Sequence, residues 1–334
     1  MNIQKTIGLL FYLTPFLAFG QMYDVNKYKF LIRDTNRPPD SLIQDCRKLC
    51  KIYAKMCHFE AAIEVAELEA YYLEHKKSLA PSILAKKTEV QFNLALMHRR
   101  LSQYGKATKS IQKALQFSLA STSQDTSTVV ELYFMAAQIY YLQEKYSEAE
   151  QQLDNMNRLL LANISIELIA EDSIELLILK GSLQLKKGYL NLAETTFKKA
   201  AKYCLKNKEL APLLLSQIYN NLGYLKVERN AIYTAISYFE QVLDNGCSND
   251  LHYMANFKLI YSNLGYCYFR LNKFEKALEY HHKSTQLLAQ IYPHKNEHLA
   301  FVYNHIGGSY HQLQQIDSAL HYSNASIQTY ETVL

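Results

Sequence analysis

YSNLGYCYFRLNKFEKALEY (261–280) and YNHIGGSYHQLQQIDSALHY (303–322) agree at their key sites when the numbering is shifted by 42. In each, a Gly (Gly265, Gly307) has a Tyr four residues before it (Tyr261, Tyr303) and three after it (Tyr268, Tyr310). With the Gly at position i, an Ala stands at i+12 (Ala277, Ala319). Spacings of 3, 4 and 7 describe one face of a helix. Working outward, the same i/i+12 pair recurs as Gly181/Ala193 and Gly223/Ala235, still in steps of 42. With a different small residue in first place it recurs again as Cys50/Ala62, Ala95/Ala107 and Ala137/Ala149, at steps of 45, 42 and 44. Seven occurrences of one internal spacing mark a repeated supersecondary unit.

The unit reads as a helix hairpin. A small residue on the first helix lets the second approach, and the Ala is its counterpart. Gly188, Asn230 and Asn272 fall in the turn between them, and both residue types tolerate the left-handed conformation at a helix end. Pro81, Pro212 and Pro293 fall where new first helices begin. The spacing predicts first helices over 40–56, 81–101, 126–143, 171–186, 210–228, 250–271 and 296–313, and second helices over 59–75, 104–119, 146–161, 190–204, 231–245, 274–290 and 316–333.

Composition agrees. Among 334 residues there are only 10 Gly and 6 Pro, too few breakers for a turn-rich all-β fold. Hydrophobic residues make up 49%, which excludes disorder, and a net charge of +5 with 20% charged residues is too mild for a dedicated nucleic-acid binder. The 27 Tyr and absent Trp follow from the repeat: Tyr53, Tyr140, Tyr268 and Tyr310 share one slot, and Tyr133, Tyr219, Tyr261 and Tyr303 another. A large ring there fills the gap between helices while its hydroxyl reaches the edge.

These segments, together with YNNLGYLKVERNAIYTAISYFEQVL (219–243), resemble tetratricopeptide repeats. The resemblance covers about 40–334 and implies an all-α, right-handed solenoid of seven hairpins with no cap helix. The usual repeat has a period of about 34. The longer period of 42 is similar to that of kinesin light chains and of bacterial peptide-sensing regulators. The first hairpin departs most, with Cys50 as its small residue and Ala66 where a larger one is usual.

The resemblance also implies that the first helices line a concave groove, at offsets −6, −3, −2, +1, +4 and +5 from the small residue. That stripe carries a basic end of Arg47, Lys48, Lys51 and Lys55, followed by Asn93, Arg99 and Arg100. It turns apolar at Phe134, Met135, Tyr141, Ile178, Leu179 and Leu185. It ends in amides and rings: Asn220, Asn221, Tyr224, Asn263, Tyr266, Phe269, Arg270, Asn304, His305 and His311. Asn93, Asn221 and Asn263 occupy one slot, and Asn220 and Asn304 the adjacent one. An Asn amide offers a donor and an acceptor, the pairing an extended peptide backbone needs. The expected ligand is a peptide or protein segment, with ordinary interhelical or solvated polar residues as the bland alternative.

Residues 1–20 (MNIQKTIGLLFYLTPFLAFG) have the layout of a secretory signal: Lys5, an apolar run over Ile7–Phe19, and small residues at Ala18 and Gly20. The run of about 13 residues is short of the ~20 that span a bilayer. The expectation is a cut after Gly20, a lead-in over 21–39, and a periplasmic or extracellular product that meets membranes only through a partner. Cys46, Cys50, Cys57, Cys204, Cys247 and Cys267 lack the spacing of a zinc or redox site and read as small buried thiols. His294 and His298 have no third ligand at motif spacing. No catalytic motif is present, so no enzyme, cofactor or metal is expected. The seventh second helix carries an apolar side at Ile327, Tyr330, Val333 and Leu334 with no polar cap after it. These features predict an exported scaffold that holds a peptide, or the sensor half of a signalling system. The other reading is an envelope subunit that uses its convex face or its last helix.

Overall fold

The computed structural model describes residues 16–34, 36–56, 58–76, 78–122, 125–162, 170–206, 211–245, 251–291 and 297–331. Fifteen helices and no strand occur among them: α1 (Phe16–Arg33), α2 (Pro39–Lys55), α3 (Phe59–Glu74), α4 (Pro81–Arg100), α5 (Tyr104–Leu119), α6 (Thr126–Leu142), α7 (Tyr146–Ala162), α8 (Ala170–Lys186), α9 (Leu190–Lys206), α10 (Ala211–Glu228), α11 (Ile232–Asn245), α12 (Leu251–Arg270), α13 (Phe274–Ile291), α14 (Glu297–Gln312) and α15 (Ile316–Glu331). From α2 onward they form the seven predicted hairpins, each within a residue or two of its expected bounds. The fold is an all-α solenoid of helix hairpins. The chain divides into two compact units, Met1–Glu167 and Leu168–Leu334.

The hairpins form because one turn serves both helices. At i+7 from the small residue the backbone is left-handed in six hairpins, at Ser102, Glu144, Gly188, Asn230, Asn272 and Gln314 (φ 56–80°). That bend lets the next residue donate its N–H back to the first helix, as in Gln103 to His98 (2.8 Å), Lys145 to Tyr140 (2.9 Å) and Lys273 to Tyr268 (2.9 Å). The carbonyl of the same residue then accepts the first hydrogen bond of the second helix. Its donor is the repeat Ala each time, from Ala62 to His58 (3.0 Å) through Ala319 to Gln315 (3.0 Å). Orphan groups at two helix ends are thus satisfied by one residue. Elsewhere ends are closed conventionally: Pro39 and Pro81 start α2 and α4, and the Asp125 side chain accepts from the Ser127 N–H at 3.1 Å to cap α6.

Packing within each hairpin exchanges volume between two slots, the small residue at i and its counterpart at i+16. The pairs are Cys50/Ala66, Ala95/Ile111, Ala137/Leu153, Gly181/Phe197, Gly223/Phe239, Gly265/His281 and Gly307/Ser323. Where the first member is Gly, the second can be a ring: an added Cβ would lie 2.6 Å from the Phe197 ring at Gly181, 2.5 Å from Phe239 at Gly223 and 2.6 Å from His281 at Gly265. All three rings are fully buried. Tyr supplies the rest of the filling. Tyr261 and Tyr280, Tyr268 and Tyr280, Tyr303 and Tyr322, and Tyr310 and Tyr322 pack with ring centroids 5.4–6.2 Å apart. The two predicted Tyr slots therefore meet a third, at i+15, that sequence reading did not single out.

The lead-in contains α1, for which no helix was predicted. Val25 is buried against α2, and Tyr28 and Ile32 pack beside it. This 25/28/32 spacing is a short helical stripe. The expected cut after Gly20 falls inside α1, and all three packing residues lie downstream of it. Cys46, Cys50, Cys204 and Cys267 are buried thiols outside any disulfide, and burial pushes those of Cys46, Cys50 and Cys267 up to about 12. Cys57, Cys247, Pro293, His294, Val333, Leu334 and the first fifteen residues of the expected signal lie outside the described residues. No helix among the described residues is long and apolar enough to cross a membrane.

Two consequences can be measured by denaturant titration. Gly223→Ala should lose about 1–3 kcal/mol, because the new methyl overlaps a rigid buried ring. Adding Phe239→Leu should recover part of that loss, whereas additive losses would contradict the volume exchange. Glu144→Gly should gain about 1 kcal/mol, since Glu144 occupies a left-handed backbone that its side chain does nothing to favour.

Candidate functional site

The predicted stripe is best formed in the second unit, where α10, α12 and α14 lie side by side. Asn263 donates from Nδ2 to Asn220 Oδ1 at 2.9 Å, and Asn221 donates to Ser182 Oγ at 3.5 Å. These bonds cross from one hairpin to the next. Among the described residues neither Asn221 Oδ1 nor Asn263 Oδ1 has a donor, so both keep an acceptor. Arg270 bonds Tyr266 and Asn230 at 3.0 and 2.9 Å, and Lys186 lies over the Tyr224 ring at 5.8 Å. Asn304 is exposed on α14.

His305 occupies the slot that Asn221 and Asn263 hold in the preceding hairpins. Its ring packs against Phe301 (4.4 Å), Tyr266 (5.3 Å), His281 (5.7 Å) and Phe269 (6.0 Å). Beside it a cavity of about 480 Å³ opens between α14 and α15. Its walls include Phe269, Asn304, His305 and His311 from the stripe, and Gly307 opposite Ser323.

The first unit holds the basic residues differently from a free anion site. Arg47 donates two bonds to the buried Glu69 at 2.9 and 2.7 Å and reaches Glu89 at 3.2 Å. Burial pushes the Glu69 carboxyl up, and Arg47 opposes it. Lys51 lies 4.0 Å from Glu89, and Lys48 lies over the Tyr28 ring. Arg99 bonds Gln138 on α6, Arg100 is exposed, and Asn93 is half-buried. The carboxylate partners of Arg47 come from α3 and α4, so its charge is largely spent within the fold. Removing Arg47 would leave a buried charge unpaired, a change that costs about 3–5 kcal/mol.

Residues 174–207 and 258–332 match models of the tetratricopeptide repeat. The chain is a tetratricopeptide-repeat protein. A search of curated proteins finds no sequence match. Among solved structures it is similar to a tetratricopeptide repeat protein from Parabacteroides merdae (15% identity, 86% of this chain and 95% of that one, TM-score 0.60). It is also similar to the Rap conjugation gene regulator of the plasmid pLS20 in complex with the Phr* peptide (12%, 93% and 95%, TM-score 0.59). A third is NprR in complex with its cognate peptide NprX (15%, 98% and 82%, TM-score 0.57). At such identities the likeness is one of fold. No group of three or more metal-ligating side chains occurs among the described residues of this repeat protein.

Repeat spacing alone does not bring residues 281, 298 and 305 together, so their proximity is not legible in the sequence. His281 is fully buried, and neither ring nitrogen has a hydrogen-bond partner among the described residues; the same holds for His298 Nε2. Burial, then the neighbouring His305, His282 and His298, lower His281 to about 3. Burial, then Lys258, lower His298 to about 4, and burial also lowers His305. Above pH ~6.5 these rings are neutral in both folded and unfolded chains. As pH falls from there, the unfolded chain takes up protons that the folded one refuses, so stability drops by up to about 1.4 kcal/mol per pH unit per ring. Denaturation midpoints should fall between pH 7 and pH 5. His281→Phe, which copies Phe197 and Phe239, should flatten that slope while keeping the hairpin packed. An unchanged slope would rule out His281 as a contributor.

Proposed function

We propose that this repeat protein is an exported, non-catalytic scaffold that holds an extended peptide or protein segment along the stripe of α10, α12 and α14. The observation that carries this reading is the succession of Asn220/Asn221, Asn263 and Asn304 on adjacent first helices, with open acceptors at Asn221 and Asn263 and the exposed or half-exposed rings of Tyr224 and Tyr266 alongside. Amides placed at intervals bind main chain without reading sequence, and the rings supply apolar contact. That two similar structures hold peptides supports the assignment. Export rests on residues 1–20 and their expected cut. Combined with binding, it suits the sensing half of a signalling system. A second reading, as a subunit of an envelope assembly, draws on α15, where Ile316, Leu320, Ile327 and Tyr330 are exposed.

Peptides selected on the immobilised protein from a random library should lose affinity about tenfold or more on Asn221→Ala/Asn263→Ala, in line with two hydrogen bonds of about 0.5–1.5 kcal/mol each. If binding survives that double change and partner capture from envelope extract instead depends on α15, the assembly reading replaces it. Amino-terminal sequencing of the secreted form should begin at Gln21; a product retaining Met1 outside the cell would refute the cut.

A further inference from the structure

The slot comparison within the second unit shows what the last hairpin lacks. In three successive hairpins, Gly181, Gly223 and Gly265 each form a notch that a ring from the second helix fills: Phe197, Phe239 and His281. At Gly307 no ring is present: Ser323 and the α15 backbone come closer instead, so that an added Cβ would lie 2.8 Å from Ser323 Oγ and 3.3 Å from Ala319 O, and both Gly307 and Ser323 line the cavity of about 480 Å³. Gly308 extends the opening, since its missing Cβ faces Phe269 at 3.6 Å. The walls continue an established interface. Ile316, Leu320 and Ser323 on α15 are the register equivalents of Phe274, Leu278 and His281 on α13, among which Leu278 and His281 are buried. In that interface the ring of His281 is met by the rings of His305 and, through it, Phe301.

We propose that this cavity takes the aromatic side chain of a bound polypeptide. Gly307 and Gly308 present no side chain to the cavity, and Ile316, Leu320 and the Phe269 ring give it apolar walls against which a planar guest can lie. The Phe269 and His305 rings stand ready for edge-to-face contact, which adds to area burial for an aromatic guest and not for an aliphatic one. The mouth lies on the stripe beside Asn304 and His311, so a main chain held there can lower a side chain into it. The proposal rests on the peptide-binding reading and names its anchor.

The test uses the full chain and N-acetyl-phenylalanine methylamide, with the leucine analogue as control, followed by shift changes of the Gly307, Gly308 and Ser323 amides. The phenylalanine probe should shift these amides and bind at least several-fold more tightly than the leucine probe. Ser323→Phe, which puts a ring at the cavity wall, should weaken the phenylalanine probe at least tenfold. Should that variant fail to fold, Gly308→Leu, which blocks the mouth, should give the same loss. Equal binding of both probes, undiminished binding to a folded blocked variant, or no shift at all overturns the proposal. So does a second copy of the chain covering the site, seen as self-association that Ser323→Phe abolishes. Asn221→Ala/Asn263→Ala should leave this single-residue probe unaffected, so loss of the groove reading and loss of the anchor are told apart.

Discussion

Everything in the structure hangs on one backbone residue per hairpin, at i+8 from the small residue. Its N–H closes the first helix and its C=O opens the second. Because a helical bond reaches from one residue to the fourth after it, the first N–H of the new helix is fixed at i+12, and the buried Ala that recurs there keeps the two helices close. The two helices cannot slide independently, so the slots that face one another are the same in every hairpin. The left-handed residue just before this one is the single backbone cost, and the side chains that meet it range from Gly188 to Glu144. Register is therefore a property of the backbone, and the side chains are free to vary around it.

That freedom appears as traded volume. Across the hairpins the i/i+16 pair runs from Cys50/Ala66 through Ala137/Leu153 to Gly223/Phe239, the second member growing as the first shrinks. Interiors tolerate such exchange when total volume is kept. Two pairs depart from it. Gly265/His281 keeps the shape but brings polar nitrogens into an apolar site. Gly307/Ser323 does not keep the volume and leaves a cavity. Both departures fall in the last two hairpins, and they share the ring of His305. The buried histidines of the core and the cavity are thus one neighbourhood, joined through the same side chain.

Most of the architecture was legible because a fixed register writes itself into sequence as regular intervals. Gly181 to Gly307 and Ala193 to Ala319 placed the helices within a residue or two. The left-handed turn could be read at Gly188, Asn230 and Asn272, whose side chains favour it. It could not be read at Ser102, Glu144 or Gln314, where only backbone hydrogen bonds require it. Charge was harder. Arg47 looked like one end of a basic groove, yet its partner Glu69 sits 22 residues away on the neighbouring helix, and nothing in local spacing announces that pair. Helix α1 was hidden differently: its packing stripe has only three members and follows an apolar run whose layout points to export.

The stripe itself divides by chemistry. On α10 and α12 the slot two residues before the small residue carries Asn221 and Asn263, whose donors tie hairpin to hairpin while their acceptors stay open. On α14 the same slot carries His305, and a ring stacked on His281 cannot present an amide to a ligand. Hydrogen bonding therefore gives way to ring packing within one hairpin, at the point where Gly307 and Gly308 thin the wall. Main-chain recognition suits the amide part, since every residue of a ligand offers the same groups to it. Under the proposed peptide-binding reading, discrimination between ligands would come from the ring-lined part, where the fit of one side chain decides.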